Sequence, residues 1–200
     1  MGRIQEILAT IHDDVSLSEQ LSQRMLTGIV DGHIDYDVMA HSLADFATEH
    51  GFENPPSPSS IKKLMLANSG KPLVEFHGDQ LLGDFHLGNI AKVNVACRGA
   101  FIARLAILAS LHDELWVGDW IAVNNDTGAY LDSLRLSGRL DDGDSFIVRV
   151  DIGTGPSQYG PMLVYNEGLH NASPRYAANF TVSGTTCDVG YSRQNDSVFG

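Results

Sequence analysis

The spacing of apolar residues changes character once along the chain, near residue 70. Before that point Ile4, Ile7, Leu8 and Ile11 recur at i, i+3, i+4 and i+7, which gathers them on one face of a helix. Ser16 and Glu19 have capping-box spacing ahead of a second helix that carries Leu17, Leu21 and Met25, until Gly28 weakens the pattern. Asp35 or Asp37 can cap a third helix, with Met39, Leu43, Phe46 and Ala47 facing inward and Gly51 ending it. Ser57-Pro58 opens a fourth, because a proline at the first helical position gives up an N–H that has no acceptor there, and Ile61, Leu64 and Met65 supply its apolar face. The helices are expected to end near Gly70.

Beyond Lys71-Pro72 the period shortens to two, and β-branched or aromatic residues alternate with polar ones between Gly, Asp and Asn clusters. Candidate strands are Leu73 to His77, Ile90 to Cys97, Phe101 to Ala109, Leu115 to Val123, Ser133 to Gly138, Ser145 to Ile152, Met162 to Tyr165 and Tyr176 to Ser183. The stretch from Ala100 to Leu111 also suits a buried helix. No ten-residue helical pattern separates the strands, which speaks against a parallel α/β sheet. The expected class is therefore α+β, with a helical segment over residues 1–70 followed by an antiparallel, jelly-roll-like β-sandwich over 71–200.

Composition narrows the function classes. The net charge is −12, and neither part is basic: residues 1–70 carry ten acids against four bases, residues 71–200 fifteen against nine. Binding to nucleic acid needs clustered Lys and Arg to displace counterions from phosphates, so that class is set aside, as is docking to anionic lipid by charge. No apolar run is long enough for a membrane-spanning helix, and no basic-then-apolar signal region opens the sequence, so a cytoplasmic location is expected. Sequons at Asn125, Asn171, Asn179 and Asn195 matter only on the secretory route. Cys97 and Cys187 lack zinc-site spacing and read as free thiols or as one bridge.

Several clusters are candidates for chemistry. Glu75, His77 and Asp79 would share one face of a strand, with Asp84 and His86 nearby, so His77, Asp79 and His86 read either as metal ligands or as solvated surface. Asp141, Asp142 and Asp144 offer the oxygen donors calcium prefers, and they also suit a hairpin turn around Gly143. Trp116 and Trp120 would lie on one face of a strand, and with Asn124, Asn125 and Asp126 in the next turn they form a candidate ligand-binding set; the alternative for the indoles is core packing. The sequence has no Gly-x-Ser-x-Gly elbow and no phosphate-cradling Gly-x-x-x-x-Gly-Lys.

Two resemblances carry further expectations. Ser16-Leu17-Ser18-Glu19-Gln20-Leu21 and Leu43-Ala44-Asp45-Phe46-Ala47-Thr48-Glu49-His50-Gly51-Phe52, with a helix after Ser57, resemble the nitrogen-fixation-type leader-peptide domain of modified-peptide precursors. That resemblance implies a helical docking segment for modifying enzymes. Gly99-Ala100-Phe101-Ile102-Ala103-Arg104-Leu105, Leu136-Ser137-Gly138, Asp142-Gly143-Asp144-Ser145 and Ser183-Gly184-Thr185-Thr186-Cys187 are similar to the carboxy-terminal β-sandwich of thiol-activated cytolysins. This second resemblance implies a sandwich that recognises membrane sterol or glycan.

The function expected from these features is non-enzymatic: a binding or self-assembly module whose sandwich takes a glycan, a lipid or another subunit, in a homo-oligomer. A peptide precursor or carrier with a helical leader, and a metal-dependent enzyme around His77 and His86, are the alternatives. No cofactor is expected; calcium at the aspartate loop is the alternative to its reading as a turn.

Overall fold

The computed structural model describes residues 3–69, 86, 88–168, 174–185 and 188–199. Helices α1 (Arg3–Asp13) and α2 (Val15–Leu26), a short hairpin of β1 (Ile29–Val30) and β2 (His33–Ile34), and helices α3 (Tyr36–Glu49) and α4 (Pro58–Ser69) make up the first part. The second part contains β3 (Ile90–Gly99), β4 (Ala103–Ser110), β5 (Asp113–Val117), β6 (Asp126–Tyr130), α5 (Leu131–Leu136), β7 (Ser145–Ile152), β8 (Gln158–Val164), β9 (Arg175–Thr185) and β10 (Asp188–Phe199). The fold is α+β, helices followed by a sandwich of mainly antiparallel sheets.

Local chemistry accounts for the helix ends. Asp35 caps α3, its Oδ1 accepting from the backbone N–H groups of Asp37 at 2.9 Å and Val38 at 3.1 Å. Gly51 sits at φ +72 just past the helix, a conformation a side chain would disfavour. The capping box expected at Ser16 is absent. Asp14 caps α2 by accepting from the Leu17 N–H at 3.1 Å, Ser16 Oγ instead accepts from Gln20 Nε2, and Glu19 reaches across to Asn124.

The sandwich sheets run β10-β9-β3-β6 and β5-β4-β7-β8. Among the described strands every pairing is antiparallel except that of β3 with β9, which is parallel. Alternate residues of the strands meet between the sheets: Val93, Val95 and Cys97 of β3 and Phe180 and Val182 of β9 face Leu105 and Ile107 of β4 and Phe146, Val148 and Val150 of β7, all buried. That single core fixes register, because a slip by one residue would turn each strand's apolar set outward. Burial pushes the Cys97 thiol up to about 11, and it is a free thiol; Cys187 lies outside the described residues.

The helices have their own core, built on Ile7, Ile11, Leu21, Met39, Phe46 and Ile61, yet Ala100 and Ile102 of the sandwich complete it. In the crossing between β3 and β4, Phe101 points into the sandwich core while its neighbours point into the helical one. Two glycines make room for this. A Cβ at Gly99 would lie 2.1 Å from the Phe101 ring, and one at Gly153 would lie 2.3 Å from Ile102 Cγ1. Hydrogen bonds from Val123 N–H to Ser22 Oγ (3.3 Å) and from Asn124 Nδ2 to Glu19 Oε1 (2.7 Å) join the two parts further.

Two sequence expectations need correction. Ser133 to Gly138 is not a strand: Leu131 and Leu134, three apart, are buried on one side of the helix α5, and Gly138 at φ +70 follows it. The Leu115 to Val123 strand is interrupted after Val117: Gly118 donates its N–H to Leu105 O, and Ile121 then meets β4 again as an antiparallel bridge to Ala103. Between Ala100 and Leu111, where a strand and a buried helix were both open, the strand is found: β4 runs Ala103–Ser110. The expected strand at Leu73 to His77 lies outside the described residues.

Candidate functional site

The outer face of the β10-β9-β3-β6 sheet is polar, and it holds a groove of about 560 Å³. The groove follows from strand alternation. Residues whose neighbours fill the core must themselves face solvent, and these are Lys92, Asn94 and Ala96 of β3, Asn179 and Thr181 of β9, Gly128 and Tyr130 of β6, and Gln194 of β10. Short side chains at Ala96, Gly128 and Thr181 leave the trough, and longer ones at Lys92, Tyr130 and Gln194 bound it.

The floor is held by amide chemistry. Asn94 and Asn179 are partners in the parallel register of β3 and β9, and Asn94 Nδ2 donates to Asn179 Oδ1 at 2.8 Å. Asn179 Nδ2 donates in turn to the backbone oxygen of Asn195 at 2.9 Å, so its amide cannot rotate freely. This leaves Asn94 Oδ1 beside Gly128, where a Cβ would approach it to 2.8 Å. Tyr130, 55% exposed, walls one end, with Lys92 Nζ 4.6 Å from its ring centroid and the Phe199 ring 6.2 Å away. Asp126, the one carboxylate lining the groove among the described residues, is paired with Arg98 at 2.7 Å. The trough therefore presents amides, hydroxyls and an aromatic ring with nearly balanced charge.

Of the ligand-binding set chosen from sequence, Asp126 alone lines this groove. Trp116 and Trp120 do not share a face, because β5 ends between them. Trp116 lines a hollow of about 200 Å³ between β6 and α5, whereas Trp120 lines a cavity of about 390 Å³ beside the β1-β2 hairpin. There its indole N–H donates to Gly32 O at 3.3 Å, and the Arg104 guanidinium lies 4.7 Å from its ring centroid. Arg104 also pairs with Asp151 at 3.0 Å, which Arg149 holds from the other side at 2.7 Å. Asn124 is committed to Glu19, and Asn125 Nδ2 donates to Ala122 O and Val123 O.

The aspartate loop is closed on itself. Asp144 Oδ2 accepts from the Asp141 N–H at 2.7 Å, Asp142 Oδ1 accepts from the Glu167 N–H at 2.8 Å, Asp141 pairs with Arg135 at 3.3 Å, and Gly143 takes φ +85. Among the described residues no three His, Cys, Asp or Glu side chains converge as metal ligands. His86 stacks on Tyr176, with centroids 3.5 Å apart and planes 9° apart, and its backbone N–H donates to Asp196. His77 and Asp79 lie outside the described residues, as do Glu75 and Asp84. A second ionic cluster ties α5 to β9: Asp132 accepts from both Arg175 and the Tyr165 hydroxyl. Partial burial works against the charge of Asp132, but these hydrogen bonds outweigh it and hold the carboxyl below its ordinary range.

No family model matches the chain, and no curated protein matches it. Among solved structures it is similar to a crystal structure of listeriolysin O, with 15% identity and a TM-score of 0.31 over 54% of this chain and 22% of that one. The match thus spans under a quarter of that protein's length. A likeness of that size carries no argument about this chain's activity or partners. Among the described residues no helix is long and apolar enough to cross a membrane.

Proposed function

We propose that the chain is a non-enzymatic binding module and that the groove over β3, β9 and β6 takes a neutral glycan. The observation that carries this reading is the Asn94–Asn179 amide pair, fixed at the floor beside the side-chain-free Gly128 and within one groove with the exposed Tyr130 ring. Sugars offer hydroxyls that both donate and accept, and fixed amides suit them; an aromatic face suits their C–H surfaces. A lipid chain would want an apolar trough, which this one is not.

Assembly through a sheet edge is less well supported. β10 is an edge strand of 12 residues, but it bulges between Gln194 and Ser197, and Arg193 and Asp196 point inward as a buried pair at 2.8 Å. Bulges and inward charges are features that oppose pairing with another strand. Against a detachable helical leader stands the core that the helices share with Ala100 and Ile102.

The test is calorimetric titration of the full chain and of Asn94→Ala with neutral oligosaccharides. Binding by the parent, weakened tenfold or more in the variant with an unchanged fold by circular dichroism, supports the reading. Equal affinity in both contradicts it.

A further inference from the structure

Gly128 and Tyr130 line two cavities at once. One is the groove on the outer face; the other is the hollow of about 200 Å³ whose remaining walls are Trp116, Ala129, Ser133 and Leu134. β6 is an edge strand of its sheet, and Trp116 belongs to β5, an edge strand of the other. The hollow therefore opens where two sheet edges face each other, and α5 supplies Ser133 and Leu134 to it.

Trp116 is half-buried, and its orientation is set by its neighbour. The six-membered part of the indole folds over Gly118, where a Cβ would come within 2.6 Å of Cη2. It packs against the rim of the sandwich core and is partly exposed. A half-buried Trp on a sheet edge, beside a hollow, offers a ligand apolar ring surface together with an N–H donor. The hollow is small beside pockets that enclose a whole ligand, about 300 to 1,000 Å³. It has room for part of a ligand whose remainder lies elsewhere, and the adjoining groove is where that remainder fits.

Resting on the glycan reading, we infer that the two cavities are consecutive subsites of one binding site. The ligand is then an oligosaccharide of at least two residues that passes over Gly128, lays the C–H face of one sugar ring on Trp116 and presents its hydroxyls to Ser133 and the indole N–H. The missing side chain at 128 keeps the saddle between the subsites low. Gly118 acts as a positioning residue, by letting the indole lie flat.

The experiment uses the full chain carrying Trp120→Phe, which leaves Trp116 as the one tryptophan of the two in the sequence. It is titrated with cellotriose, maltotriose, chitotriose and lacto-N-tetraose, and with glucose, N-acetylglucosamine and galactose, while Trp116 emission and binding heat are followed. The expected result is that an oligosaccharide binds and changes Trp116 emission, and that its monosaccharide does not. Trp116→Ala should weaken that oligosaccharide about tenfold, the loss of one stacking contact, and Trp116→Phe should recover most of it. Oligosaccharide binding with unchanged Trp116 emission and unchanged affinity in Trp116→Ala overturns the second subsite and leaves the groove standing. Binding of none of these sugars overturns both.

Discussion

Asn94 and Asn179 meet side by side across the parallel pairing of β3 with β9, Nδ2 of the first donating to Oδ1 of the second at 2.8 Å. Parallel register places two identical side chains at the same height on one face, so each amide orders the other. Adjacent strands then add Gly128 on one side and Gln194 on the other, and the face becomes a trough with a fixed hydrogen-bonding floor.

The crossing between β3 and β4 ties the helices to the sandwich through Ile102 and Gly153. Ile102→Ala should destabilise the protein by about 2–4 kcal/mol, the usual range for a fully buried site. Gly153→Ala should destabilise it as well, because its Cβ would meet Ile102 Cγ1 at 2.3 Å. In the double variant the clash partner is gone, so the two losses should be less than additive. Urea unfolding of the four proteins measures this coupling.

Arg193 and Asp196 are both fully buried on the edge strand β10, and His86 O accepts from Arg193 at 2.7 Å. Asp196→Ala removes the carboxylate that balances a buried guanidinium, with an expected loss of about 3–5 kcal/mol. The melting temperature of the variant checks this, and sedimentation shows whether the freed edge then pairs with other copies.

The Asp132 cluster predicts a pH dependence. Its folded pKa is lowered, so its contribution is complete above the unfolded value near 3.9 and is lost as pH falls through the folded one. Since the side chain is 45% exposed, solvent screening keeps the contribution to about 1 kcal/mol. Asp132→Asn should be less stable than the parent at pH 7, and the difference should shrink below about pH 4; denaturant midpoints across that range test it.

What the sequence made legible follows from burial. Ser145 to Ile152 alternates cleanly because one face of β7 fills the core, and that strand was expected at its observed bounds. β10 has only a brief apolar alternation, Val189 and Tyr191, before its inner face passes to the Arg193–Asp196 pair, and Ser, Gln and Asn hold outer positions, so the pattern is too short to mark a strand. β6 was read as part of a turn: Asn124, Asp126 and Gly128 look like hairpin chemistry, and Asn124 does take φ +61. The same small and polar residues form a groove wall. The site itself was illegible because Asn94 and Asn179 lie 85 positions apart and meet only through a parallel pairing. Trp116 and Trp120, adjacent by strand period, separate because the strand ends at Val117.

The most direct test of the central claim is nuclear magnetic resonance mapping of the labelled full chain during titration with the neutral trisaccharides. The account predicts shift changes concentrated at residues 92–96, 126–130 and 179–181, saturable and absent in Asn94→Ala. Saturable changes at the Asp141–Asp144 loop or beside Trp120 instead, or none with any sugar, would contradict it.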